Sequence, residues 1–225
     1  MRDVAGAPAR EGSGVAVDRP PATNGRHPLD AALKRGLDVF VSALGLVVSV
    51  PLWVVIGTAI LLGDGWPILY TQRRAGLYGR VFRVYKFRSM RKDVERITGA
   101  VLAEKDDPRI TRVGRILRKT ALDEIPQLVN IFRGDMSWVG PRPERPEFVQ
   151  QFIREVPGYG VRHKVRPGLT GMAQVYARYY TAAADKLRYD LYYVQHRSLW
   201  LDFKLFARSW VITAKARWDS DAKER

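Results

Sequence analysis

The sequence predicts an α+β fold, mostly helical, with an N-terminal re-entrant membrane helix-break-helix, interfacial amphipathic helices and a small β-hairpin around a site on the cytoplasmic face. Three observations predict it. Residues 39–63 are uncharged and strongly apolar with Pro51 near the middle. Two alternating apolar/polar runs flank a glycine-bearing turn at 76–79. Most of the remaining chain spaces its apolar residues at helical period.

Composition sets the outer bounds. The 225 residues suffice for one domain of ordinary size with appendages. With no cysteine there is no disulfide framework and no thiolate metal site, and His27, His163 and His196 lack zinc-ligand spacing, so oxygen atoms would hold any metal. A formal charge of +15 calls for an anionic partner: nucleic acid, phospholipid headgroups or a phosphorylated small molecule. Charge alone leaves the three open.

Taking the elements in order, residues 1–27 are rich in Ala, Gly, Pro and Arg without apolar periodicity, which reads as a disordered tail. The apolar stretch 39–63 is long enough to cross a bilayer, but Lys34 and Arg35 precede it while Arg73, Arg74 and Arg80 follow it. The positive-inside rule places both ends in the cytoplasm, which a single straight span cannot do. A break at Pro51, with Ser49 two residues earlier, resolves the conflict as a hairpin that enters and leaves by one leaflet. Residues 67–74 and 80–90 then read as a β-hairpin. From 64 to 120 the chain carries 15 Lys/Arg against 6 Asp/Glu, either a headgroup-facing surface or a phosphate site.

Ile110, Val113, Ile116 and Leu117 share one helical face and Arg112, Arg115 and Arg118 another, the pattern of an interfacial helix. Residues 144–156 predict an amphipathic helix entered through Pro146, 165–171 a Gly/Pro loop, and 186–193 a further helix. Residues 198–218 set Trp200, Phe203, Phe206 and Trp210 beside Lys204 and Arg208 at helical spacing, which fits the membrane interface and core packing equally.

Chemistry concentrates between residues 118 and 143. Asp123 and Glu124 open an apolar-periodic run (Ile125, Leu128, Val129, Ile131, Phe132), and Pro126 fits only a first helical turn. A helix N-terminus there would keep a carboxylate ionised, although a plain cap formed by Thr120 and Asp123 reads as well. No Walker loop, dinucleotide fingerprint or Gly-x-Ser-x-Gly elbow occurs. What remains is a carboxylate pair in a cationic setting beside a membrane segment. A carboxylate can attack phosphorus, arginines can clamp phosphoryl oxygens, and Mg²⁺ is suited to one or two carboxylates plus substrate phosphates.

These residues carry a resemblance. Lys86-Phe-Arg-Ser-Met, Leu122-Asp-Glu-Ile-Pro-Gln, Gly134-Asp-Met-Ser-Trp-Val-Gly-Pro-Arg-Pro, Arg166-Pro-Gly-Leu-Thr-Gly and Tyr189-Asp-Leu-Tyr-Tyr-Val follow, in order, the pattern of the bacterial sugar transferases. The resemblance spans about residues 32–215. These small monotopic phosphoglycosyl transferases move a sugar-1-phosphate from a nucleotide diphosphate sugar to a polyprenyl phosphate.

The resemblance implies that Asp123 is the nucleophile, forming a phosphosugar-aspartyl intermediate with release of UMP, that Glu124 is its partner, and that Mg²⁺ sits at Asp123. Lys86, Arg118, Arg142, Arg178 and Asp190 fall where the family lines its substrate site. It implies a hairpin at 28–66, a catalytic domain at 67–218 with a cytoplasmic-face active site, a short tail at 219–225, and residence in the bacterial inner membrane. The expected partners are a UDP-sugar, undecaprenyl phosphate and membrane lipid, with no nucleic acid. Residues 143–148 are similar to the exopolysaccharide branch that uses hexose-1-phosphate, favouring UDP-glucose or UDP-galactose. The chain departs from the pattern at Val50, where Ser often precedes the proline, at Met172 for Trp, and at Tyr176-Ala177 for Asn-Gly. A membrane-tethered basic binding module without catalysis is the alternative, as is a one-step transferase of the multispan type.

Overall fold

The computed structural model describes residues 14–15, 28–92, 107–177 and 182–214. Its first element, helix α1 (Pro28–Asp64), has 37 residues, about 55 Å at 1.5 Å per residue and longer than the ~30 Å hydrocarbon core. The chain stays helical through Pro51, so it does not leave the helical conformation at the predicted break. Proline removes one interior hydrogen bond, a cost of about 3 kcal/mol that packing on both sides can offset. That packing is a seam of Asp38, Ser42, Ser49, Ile56 and Ile60, each buried, running about 33 Å along the helix. Ser49 Oγ donates to the Leu46 carbonyl at 3.1 Å and accepts from Trp53 Nε1 at 3.2 Å, so it ties the helix to itself just before the proline.

The opposite face of α1 is open and apolar. Val47 and Leu62 are 71% and 82% exposed, and only 17% of the most apolar stretch is buried, which rules out the core helix of a soluble domain. Both ends of α1 are fastened to the rest of the chain. Lys34 pairs with Asp202 at 2.6 Å, and Asp38 accepts from Ser137 Oγ and the Trp138 N–H. At the far end, Arg88 donates to the carbonyls of Asp64 and Gly65.

The predicted hairpin is present. Strands β1 (Leu69–Ala75) and β2 (Val81–Phe87) pair antiparallel from Leu69↔Phe87 to Ala75↔Val81, with a short 3₁₀ turn over Leu77–Gly79. Helix α2 (Arg112–Lys119) begins two residues after Ile110, where the apolar pattern starts, because Thr111 accepts the Gly114 N–H and acts as its N-cap. Gly114 permits a close approach here: a Cβ would lie 1.9 Å from the Ser89 carbonyl oxygen. After a 3₁₀ turn (Leu122–Glu124) comes helix α3 (Gln127–Arg133).

Strand β3 (Ser137–Val139) pairs in parallel with β4 (Gly168–Thr170), in the region predicted as loop. Helix α4 (Pro146–Glu155) matches the predicted amphipathic segment and is followed by a 3₁₀ turn over Tyr159–Lys164. Helices α5 (Met172–Tyr176), α6 (Ala183–His196) and α7 (Leu199–Ala214) complete the described chain. On α7, Leu205 is fully buried while Trp200, Phe203 and Trp210 stand about 60% exposed. The helix therefore does both things its sequence allowed, core packing on one face and an open aromatic face on the other. The predicted tails at 1–27 and 219–225 lie outside the described residues except for Gly14 and Val15. Val15 is buried among Ala75, Val149, Tyr159 and Leu187, and its N–H donates to the Gly79 carbonyl.

Candidate active site

Three neighbouring segments bring the site together: the end of β2, the turn before α3, and the Pro141-Arg142-Pro143 turn after β3. Asn130 docks α3 onto β2. It is wholly buried on α3, accepts the Tyr85 N–H at 3.0 Å and donates to the Arg83 carbonyl at 2.8 Å, completing bonds that an edge strand would otherwise leave open. Arg35 of α1 secures the other end of α3 by donating to the carbonyls of Ile131 and Phe132, both at 2.7 Å. With α3 fixed against β2, Lys86 Nζ reaches Glu124 Oε1 at 2.6 Å.

Asp123 and Glu124 lie in the 3₁₀ turn ahead of α3 rather than in its first turn. Thr120 does not cap that helix. Its hydroxyl donates back to Ile116 and Leu117, closing α2. Between the two helices, Ala121 takes a left-handed conformation (φ 56°) that reverses the chain into the dyad turn. An L-residue held there carries roughly 1–2 kcal/mol of strain.

The two carboxylates have opposite environments. Glu124 Oε1 receives both Lys86 and Arg142 Nη2, the latter at 2.7 Å. Burial opposes its ionisation, but the Arg142 and Lys86 cations outweigh burial and hold its carboxyl well below the usual range. Asp123 is buried, and none of its side-chain hydrogen bonds is to a described residue. Burial pushes its carboxyl up to about 6, the Lys86 cation opposes this, the Glu124 charge adds to it, and Arg118 and Arg142 draw it down. The expectation that a helix N-terminus simply keeps Asp123 ionised is thus corrected: desolvation is the larger influence.

Among the described residues Asp123 therefore presents carboxylate oxygens without a hydrogen bond beside three cations, while Glu124 anchors two of those cations. No cluster of three or more His, Asp or Glu able to hold a metal occurs among the described residues. A single open carboxylate still fits Mg²⁺, which takes most of its remaining ligands from phosphate and water.

Of the other predicted residues, Arg142 is partly exposed and bound to Glu124, and Arg118 ends α2 half-buried within electrostatic reach of Asp123. Arg178 lies outside the described residues. Asp190 is 2% exposed and paired with Arg162 at 2.8 Å, and so stands behind the Arg142 turn rather than beside the carboxylate pair. Sequence reading missed both Asn130 and Arg162. Asn130 could have been found as the polar residue inside the apolar run from Leu128 to Phe132. Arg162 carries no comparable local signal.

Comparison with known proteins places the chain as a whole. Residues 29–216 match the family model described as bacterial sugar transferase. A UDP-N-acetylgalactosamine-undecaprenyl-phosphate N-acetylgalactosaminephosphotransferase of Aeromonas hydrophila is 44% identical over 178 residues, 78% of this chain and 42% of that protein. A UDP-glucose:undecaprenyl-phosphate glucose-1-phosphate transferase of Klebsiella pneumoniae is 40% identical over 182 residues, 79% of this chain and 39% of that protein. An "Exopolysaccharide production protein PSS" of Rhizobium leguminosarum bv. phaseoli is 40% identical over 185 residues, covering 79% of this chain and 92% of its own length. The chain thus spans well under half of the first two relatives and nearly all of the third. With the family match running from α1 through α7, the chain belongs to the bacterial sugar transferase family.

Proposed function

We propose that this chain transfers a sugar-1-phosphate, most simply hexose-1-phosphate, from a UDP-sugar to undecaprenyl phosphate at the cytoplasmic face of the bacterial inner membrane. The observation that carries the reading is the division of labour in the dyad: Glu124 Oε1 binds both Lys86 and Arg142, whereas Asp123 is desolvated and has no side-chain hydrogen bond to a described residue. Desolvation raises both the basicity and the nucleophilicity of a carboxylate. An Asp123 oxygen attacks the sugar-linked phosphorus, and the bond to the bridging oxygen breaks, that oxygen leaving with UMP. A phosphate oxygen of undecaprenyl phosphate then attacks the same phosphorus, releasing the Asp123 carboxylate and giving the polyprenyl diphosphate sugar. In this reading Arg118 and Arg142, whose charges act on Asp123, stabilise the phosphoryl oxygens. Mg²⁺, held by Asp123 together with substrate phosphates, would supply charge neutralisation.

The membrane reading rests on α1. A helix that crossed the bilayer would put one end in the opposite compartment from the domain it bonds, yet Lys34, Asp38 and Asp64 all bond to the same domain. We therefore take α1 as re-entrant, with its open face in one leaflet and the aromatic face of α7 at the headgroups. The relatives named for glucose and for N-acetylgalactosamine make the donor an experimental question. Release of UMP from UDP-glucose, UDP-galactose and UDP-N-acetylgalactosamine, each with undecaprenyl phosphate, tests the function. Release from at least one donor that is abolished by Asp123→Asn supports it, and release indifferent to Asp123→Asn overturns it.

A further inference from the structure

The Pro141-Arg142-Pro143 turn carries the guanidinium that reaches Glu124, yet its two prolines have no N–H with which to be held. All three of its carbonyls are gripped instead. The Gly168 N–H donates to Pro141 at 2.9 Å, Arg162 Nη2 to Arg142 at 2.9 Å, and Arg74 Nη1 to Pro143 at 3.0 Å. The middle grip is the unusual one, because it comes from a guanidinium that is 5% exposed. Arg162 Nε and Nη2 both lie within 3 Å of Asp190 Oδ2, its Nη1 donates to Tyr159 Oη at 3.0 Å, and its plane lies over the Tyr159 ring.

A buried ion pair is a poor device for stability, since desolvating both charges consumes most of their attraction and apolar residues often do as well. It is a good device for fixing geometry. A guanidinium presents its donors in a rigid fork, so pinning Nε to Asp190 and Nη1 to Tyr159 leaves Nη2 directed at a single place, the Arg142 carbonyl.

We propose that Arg162 is a positioning residue of the active site: anchored by Asp190, it holds the Arg142 main chain so that the Arg142 side chain meets Glu124. The inference rests on reading Asp123 and Glu124 as the reacting pair, and it gives Asp190 a role behind the site rather than on the substrate. Arg162 touches no reacting atom, and its effect passes wholly through Arg142. Lysine at 162 keeps the charge for Asp190 but cannot supply the remaining two directions of the fork.

The test uses the full chain in lipid nanodiscs with two readouts. The first needs no turnover: in ¹⁵N-arginine-labelled protein the Arg142 guanidinium, assigned by its loss in Arg142→Lys, shows slowed Cζ–Nη rotation while bonded to Glu124. Arg162→Lys should release it to fast rotation with the rest of the spectrum in place. Slow rotation persisting in the folded variant overturns the proposal. The second is UMP release. Arg162→Lys and Arg142→Lys should each lower kcat/KM about tenfold, and the double variant should fall within twofold of Arg142→Lys alone. Losses that multiply to about a hundredfold overturn the proposal. If Arg162→Lys does not accumulate folded, Asp190→Glu, which keeps the pair but displaces the fork, replaces it in both readouts with the same expected and contrary results. Absence of UMP release by the unsubstituted chain counts against the functional reading alone, because the rotation readout still decides the positioning.

Discussion

Replacing Asp123 by asparagine should destroy transfer and at the same time stabilise the fold. Lifting a carboxyl from its ordinary 3.8 to about 6 means that the folded state bears about 3 kcal/mol for keeping the group ionised. The sign follows from the direction of the shift. Below about pH 4 the side chain is protonated folded and unfolded, and there is no penalty. Between about 4 and 6 only the unfolded chain ionises it, so stability falls as pH rises, and above 6 the penalty is complete. A neutral amide removes it. At pH 7.5 with magnesium chelated, Asp123→Asn should raise the thermal midpoint by roughly 6–12 °C for a domain of this size, and the gain should vanish at pH 3.5. Thermal unfolding across that pH range is the assay. A destabilised variant, or a gain unchanged from pH 8 to pH 3.5, would refute desolvation as the main influence on Asp123.

Other consequences follow from the same geometry. Glu124→Gln removes the charge that Lys86 and Arg142 share and should lower stability by about 1–3 kcal/mol at pH 7 in chemical denaturation, the opposite sign to its neighbour's substitution. Ala121→Gly relieves the left-handed strain and should stabilise by up to about 1 kcal/mol in the same measurement. Single cysteines at positions 30 and 70 of the otherwise cysteine-free chain should both resist a membrane-impermeant maleimide in spheroplasts and both react after lysis, whereas labelling of one end only would mean a crossing helix. Trp200→Ser with Trp210→Ser should weaken α7 contact with anionic vesicles, read as loss of tryptophan fluorescence quenching by brominated lipid at the remaining tryptophans.

Much of this architecture was legible because its signals are local. The alternation in residues 67–90 and the glycine turn specify β1 and β2, and the uncharged run with flanking cations specifies α1. The dyad stood out because adjacent carboxylates beside Pro126 are conspicuous in a strongly basic chain. What escaped depends on contacts distant in sequence. The β3–β4 pair is three residues long on each side, too short to show a period, and forms because Gly140 and Gly168 allow backbones to meet where a Cβ would not fit. Arg162 reads as one cation among many until Asp190, 28 residues away, is seen beside it. Likewise the penalty on Asp123 arises from burial, which the residues before and after it do not encode. At Pro51 the local rule was sound, but the seam from Asp38 to Ile60 keeps the chain helical on both sides of the proline.

The central claim is that Asp123 becomes covalently bound to phosphosugar. Incubating the full chain in nanodiscs with an active UDP-sugar and no undecaprenyl phosphate, quenching in acid and measuring intact mass tests it directly. The account predicts an added sugar phosphate that maps to the peptide bearing Asp123, disappears on addition of undecaprenyl phosphate and never forms in Asp123→Asn. Product formation with a labelled acceptor but no adduct at any time, in a quench fast enough to resolve single turnovers, would contradict it and leave a one-step transfer.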